Sequence, residues 1–124
     1  TTTVANTPCQ WAGVAALNGG SEFIDSMLAE YTRRRDRVVE LVEQTPYLTG
    51  YKPEGAFYLF PSLPEGVNGT NVALRLLKET GVCTIPGETF GNSCSNALRL
   101  SYSLDNIEMA FERIIPWMKK QDFS

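Results

Sequence analysis

Residues 97–103 read Ala97-Leu98-Arg99-Leu100-Ser101-Tyr102-Ser103. Leu98, Leu100 and Tyr102 fall on one side of an extended chain and Arg99, Ser101 and Ser103 on the other. Strict alternation of this kind marks a strand with one buried and one open face. Just upstream, Val82-Cys83-Thr84-Ile85 reads as a second strand, stopped by Pro86-Gly87. A loop rich in Gly, Asn and Ser around Phe90 joins the two over residues 87–96. Downstream, Asp105 is expected to cap a last helix carrying Ile107, Ile114 and Trp117, with Pro116 near its end.

Further out, residues 70–80 place Val72, Leu74, Leu76 and Leu77 on an amphipathic helix closed by Gly81. Residues 47–51 and 56–60 read as two strands around a Lys52-Pro53-Glu54-Gly55 turn. Residues 21–44 hold the longest helical stripe: Ile24, Met27, Leu28, Tyr31, Val38, Leu41 and Val42. Ser21 is its expected cap. Arg35 falls inside the stripe, so its head is expected at an edge or against a carboxylate, while Arg33 and Arg37 lie outside. Pro8 opens a first helix with Trp11, Val14 and Leu17, ended by Asn18-Gly19-Gly20. The order predicts an α+β fold: a small mixed sheet packed against helices and preceded by a long inter-domain helix. Trp11, Val14 and Leu17 lack a partner in this arrangement.

The chain has 124 residues, enough for one ordinary domain. Its net charge is −3, which argues against nucleic-acid or anionic-membrane partners. No apolar run is long enough to span a bilayer. There is no histidine, which removes His-based nucleophile systems and His-containing metal sites. Cys9, Cys83 and Cys94 are odd in number and widely spaced, so neither a disulfide framework nor a zinc site is expected, and a cytoplasmic location is. Pro86-Gly87-Glu88-Thr89-Phe90-Gly91 has neither the glycine spacing nor the lysine of a phosphate loop. Lys52, Lys78, Lys119 and Lys120 sit in a turn or on polar helix surface, poor places for a Schiff-base lysine. Arg99 is the residue with chemistry to offer. A strand-mounted guanidinium presents a planar fork matched to a carboxylate, although an arginine on an open strand face serves equally as surface.

Four blocks in order resemble one family. They are Tyr31-Thr-Arg-Arg-Arg-Asp36, Pro53-Glu-Gly-Ala-Phe-Tyr58, Gly81-Val-Cys-Thr-Ile-Pro-Gly-Glu-Thr-Phe90 and Leu98-Arg-Leu-Ser-Tyr102. Together they resemble the C-terminal part of class I, fold type I pyridoxal-phosphate-dependent aminotransferases of the aspartate aminotransferase kind. The opening Thr2-Thr-Val-Ala-Asn-Thr-Pro8 is similar to the Asn-Pro segment at the end of that family's large domain. The resemblance implies that residues 1–20 are a tail of the large domain and residues 21–124 the small domain. It implies that Arg99 holds the substrate carboxylate, with Phe57, Tyr58 and, in the opening segment, Asn6 also on the substrate side. Gly55 is expected to permit a backbone that a side chain would obstruct, and Pro86-Gly87 and Phe90 match a loop beside the active site.

The family's Schiff-base lysine, pyridine-nitrogen aspartate, stacking aromatic and phosphate-binding residues have no counterpart here. The resemblance therefore implies pyridoxal 5'-phosphate in the parent enzyme, none bound to this chain, and no activity for the chain alone. Transfer of an amino group between an amino acid and a 2-oxo acid is the implied parent reaction, in a homodimer. A start at Thr1 rather than Met is the expectation for a piece of a longer protein. Without a large domain, self-association through the first helix, exchange of that helix between chains, or disorder of residues 1–18 is expected. Two other readings stand beside this one: a free-standing α+β interaction module, and a domain of a related pyridoxal-phosphate lyase or synthase.

Overall fold

A computed structural model describes residues 4–123. Residues 1–3 of the expected large-domain tail, and Ser124, lie outside the described residues. The elements are α1 (Thr7–Asn18), α2 (Glu22–Glu43), β1 (Tyr58–Leu59), α3 (Gly69–Thr80), β2 (Ile85–Pro86), β3 (Leu98–Ser101) and α4 (Ile107–Met118). Two short 3-10 turns, Gly87–Phe90 and Asn92–Cys94, lie between β2 and β3. The chain divides into two compact units at Glu30 and Tyr31, within α2.

In the first unit, Asn6 caps α1: its Oδ1 accepts the Cys9 N–H at 3.0 Å. Pro8 occupies the first turn, where a missing N–H costs nothing. No residue of α1 is buried, and Trp11 and Leu17 are 69% and 89% exposed. Phe23, Ile24 and Leu28 at the start of α2 are exposed as well. Ser21 does not cap α2 through its side chain; its hydroxyl donates instead to the Asp25 carboxylate at 2.8 Å.

The second unit holds the core. Val38, Leu41 and Val42 of α2 join Val72 and Leu76 of α3 and Phe111, Ile114 and Met118 of α4. Leu59, Leu98 and Leu100 supply the sheet side of that core, and Tyr102 follows them. The fold is α+β as expected, but the sheet is antiparallel throughout the described pairs rather than mixed, in the order β1-β3-β2. Tyr58 pairs with Ser101 and Leu59 with Leu100 on one flank of β3, and Ile85 pairs with Arg99 on the other.

Several local expectations change. Residues 47–51 form no strand; Thr49 makes one isolated bridge to Ser62, and Tyr47 takes a left-handed φ of 65° that a strand cannot contain. The strand expected over 82–85 pairs only from Ile85, because the Val82 N–H turns to the Thr80 hydroxyl. Asp105 does not cap α4. The cap is Asn106, without a side-chain bond, and Asp105 lies 3.5 Å from Arg33 instead. Gly81 closes α3 as read, at φ 74°, with its N–H on the Leu77 carbonyl.

Backbone amides from three places converge on residues 94–97. Leu63 N–H meets the Asn96 carbonyl, Gly69 N–H the Ser95 carbonyl, and Gly87 N–H the Ala97 carbonyl, at 2.7, 2.7 and 2.8 Å. A Cβ on Gly87 would stand 2.3 Å from the Cys94 carbonyl oxygen, so this close approach requires glycine. Gly55 has no such need: a Cβ there would meet nothing within 4 Å. The left-handed residue of that turn is its neighbour, Ala56, at φ 60°. The expectation placed the constraint one residue too early.

Candidate functional site

The open face of β3 carries the site. Because side chains alternate, Arg99 and Ser101 share the face opposite Leu98 and Leu100. Tyr58, paired to Ser101, lies on the same face as a diagonal neighbour of Arg99. Its ring centroid is 4.3 Å from the Arg99 guanidinium carbon. From the other flank, Phe90 in the turn after β2 places its centroid at 4.7 Å. Both separations are within the range of cation–π attraction.

The rings continue outward. Phe60 meets Phe90 edge-on at 5.7 Å. Phe57 packs against Tyr58 at 4.6 Å and against Tyr31 of α2 at 6.0 Å. A ladder Tyr31–Phe57–Tyr58–Arg99–Phe90–Phe60 therefore runs across the open face. Phe57, Tyr58 and Arg99 are brought together, and Phe90 joins them. Asn6 belongs to the first unit, with Oδ1 committed to the α1 cap. Sequence reading missed Phe60 and the stacking role of Tyr31. The alternation that sets Phe60 on the face of Tyr58 was the available signal for the first.

The Arg99 side chain differs from that of every other arginine of the described residues in having neither a hydrogen bond nor an ion pair. Arg33 pairs with Asp105, Arg35 with Asp36, Arg37 with Glu40 and Glu108, and Arg75 with Glu79. Arg34 donates to the Ser103 carbonyl and Arg113 to the Thr80 carbonyl. The arginine-rich helix is thus a web of ion pairs, with Arg35 against a carboxylate as its position in the stripe implied. The two serines of the Arg99 face bond to each other, Ser101 Oγ to Ser103 Oγ at 2.9 Å. An arginine with two rings against its guanidinium carbon and a side chain without hydrogen bond or ion pair is suited to take a flat two-oxygen anion on its N–H edge.

The lysines are placed differently. Lys52 is 2.8 Å from Asp36, and with Arg35 it holds that carboxyl below the usual range. Lys78, Lys119 and Lys120 are exposed on or beside helices. Among the described residues no cluster of three metal-binding side chains occurs, and no helix is long and apolar enough to cross a membrane. A separate apolar cleft of about 370 Å³ lies between residues 81–84 and α4, lined by Cys83, Leu104 and Met109, and does not include Arg99.

No family model matches the chain. Individual relatives do. Over 108 residues it is 34% identical to a probable aspartate aminotransferase of Methanocaldococcus jannaschii, across 86% of this chain and 28% of that protein. An aspartate aminotransferase of Geobacillus stearothermophilus is 36% identical over 118 residues, 89% of this chain and 30% of the relative. The chain belongs to the aspartate aminotransferase-like family. The solved alanine aminotransferase from Pyrococcus furiosus superposes with a TM-score of 0.87 at 28% identity, over 94% of this chain and 30% of that one. The chain thus corresponds to the C-terminal domain of aspartate aminotransferase-like enzymes and spans under a third of their length.

Proposed function

We propose that this chain is the substrate-closing domain of an aminotransferase that moves an amino group between an amino acid and a 2-oxo acid. The observation that carries the reading is Arg99, flanked by Tyr58 and Phe90 and unpaired to any carboxylate of the described residues. In this reading Arg99 takes the substrate carboxylate through two parallel N–H···O bonds. Phe57 and Tyr58 form the apolar wall beside it and limit water at the ion pair, which strengthens the attraction.

The residues of this chain do not fit pyridoxal phosphate. Lys52 is engaged with Asp36, and Lys78, Lys119 and Lys120 are exposed on or beside helices, so none has the desolvated setting that a Schiff-base lysine needs. The cofactor of the whole enzyme is therefore assigned to polypeptide beyond these 124 residues, and the chain alone is taken to be inactive. A dimeric parent in the cytoplasm completes the reading, the three free thiols being suited to a reducing compartment.

In an intact enzyme containing this chain, Arg99→Lys should raise substrate KM and lower kcat/KM by roughly 10- to 100-fold, because one point charge replaces a two-pronged fork. Unchanged kinetics would remove Arg99 from the site. The exposed Trp11 and Leu17 of α1 favour a second reading, in which this helix is the docking face of an interaction module. Carboxylate binding that depends on Arg99 separates the first reading from the second.

A further inference from the structure

We propose that Phe90 is a positioning residue for Arg99, and that with Tyr58 it makes the site selective for planar carboxylates over tetrahedral oxyanions. The inference rests on the reading of Arg99 as the carboxylate holder. Tyr58 comes from β1 and Phe90 from the turn after β2, and β1 and β2 flank β3 on opposite sides. Their centroids stand 4.3 and 4.7 Å from its carbon. In the proposed arrangement the two rings cover the guanidinium faces and leave its N–H edge as the open direction. A carboxylate meets that edge in plane with both oxygens. A phosphonate or sulfonate directs its third oxygen out of that plane, toward the rings.

Phe90 is itself held. Phe60 abuts its ring, and the 3-10 turn that carries it begins at Gly87, whose N–H is fixed to Ala97 two residues before Arg99. The turn is also tied to α3, since the Thr70 hydroxyl donates to Glu88 at 2.8 Å. With 49% exposure, Phe90 contributes little to the core. Its fixed place is spent on the arginine.

The test is side-chain NMR of this chain, reading the Arg99 Nε–Hε signal, its ring-current shift and the rate of rotation about the Nε–Cζ bond. Titrations with sodium propionate, methylphosphonate and methanesulfonate follow. Phe90→Leu should speed rotation and weaken propionate binding, each by roughly 3- to 10-fold, as expected for loss of one partly exposed cation–π contact. Phe90→Tyr and Phe90→Trp should retain both properties, which a purely space-filling role would not require. The unaltered chain should prefer propionate to both tetrahedral anions, and Phe90→Leu should narrow that preference. Unchanged rotation and ring-current shift in Phe90→Leu would overturn the positioning role, even with propionate bound. Equal binding of propionate and methylphosphonate to the unaltered chain would overturn the selectivity. No response of Arg99 to propionate would instead sink the carboxylate-holder reading, with the ligand-free rotation data still deciding whether Phe90 positions the arginine.

Discussion

The Tyr102 hydroxyl donates to the Ala56 carbonyl across 3.1 Å, tying a core side chain to a left-handed residue just ahead of Phe57 and Tyr58. Tyr102 is 1% exposed, and burial raises the pKa of its phenol, which keeps the donor proton in place. Tyr102→Phe should cost about 1 kcal/mol, the usual net worth of such a bond. Ala56→Gly should stabilise by about 0.5–1 kcal/mol, since a left-handed φ burdens alanine more than glycine's extra chain entropy burdens the folded state. Urea denaturation of both variants measures this, and destabilisation by Ala56→Gly would count against strain at that turn.

Three glycines provide an internal contrast. Gly87→Ala and Gly69→Ala place a Cβ 2.3 and 2.5 Å from backbone oxygens, so each should cost at least about 2 kcal/mol. Gly55→Ala meets open space and should be neutral or stabilising by up to about 1 kcal/mol. Thermal unfolding of the three variants under one buffer gives the ranking.

Acid should weaken the second unit through Glu79. The Trp117 indole N–H, at 2.7 Å, and then Arg75 hold its carboxyl below the ordinary value. A depressed folded pKa stabilises above the unfolded value, near 4.3 for glutamate, and that stability fades as pH falls through the folded value. Asp36 acts in the same direction through Lys52 and Arg35. Glu79→Gln should therefore flatten the acid limb of the stability–pH curve while leaving its slope above pH 6 unchanged. An acid limb as steep as that of the unaltered chain would show that this carboxylate does not contribute.

Sedimentation should reveal association of the isolated chain that grows with concentration. Trp11, Leu17 and Phe23 are exposed apolar groups on neighbouring helical segments, and such surfaces tend to find a cover. A Trp11→Gln, Leu17→Gln double variant should shift the sample toward monomer. A single monomeric species at every concentration, with α1 amides protected from exchange, would contradict this.

What could be read from sequence follows where one physical rule dominates. Alternation set Leu98, Arg99 and Leu100 on their faces, and the helical period set Val38, Leu41 and Val42 in the core, because burial alone decides those patterns. Gly81 was legible since a left-handed helix end needs glycine. Strand pairing was not legible. Tyr58 and Leu59 bond to β3 rather than to residues 47–51, a choice made by long-range packing that no local pattern records. Asp105 was lost as a cap for a similar reason, with Arg33 competing for it. At the site, Arg99 stands out by its strand position, whereas Tyr58 and Phe90 are marked only through the family resemblance, because local pattern does not join segments so far apart in sequence.

That separation has a kinetic side. β2 and β3 are joined by a short connection, whereas β1 reaches β3 only after α3 and β2 have been threaded between them. Closing the shorter loop costs less chain entropy and should come first. The guanidinium of Arg99 would then meet Phe90 early in folding and Tyr58 late, so the pocket's two walls would be laid down at different times, and the Tyr58 wall would be the first to open when the native state loosens.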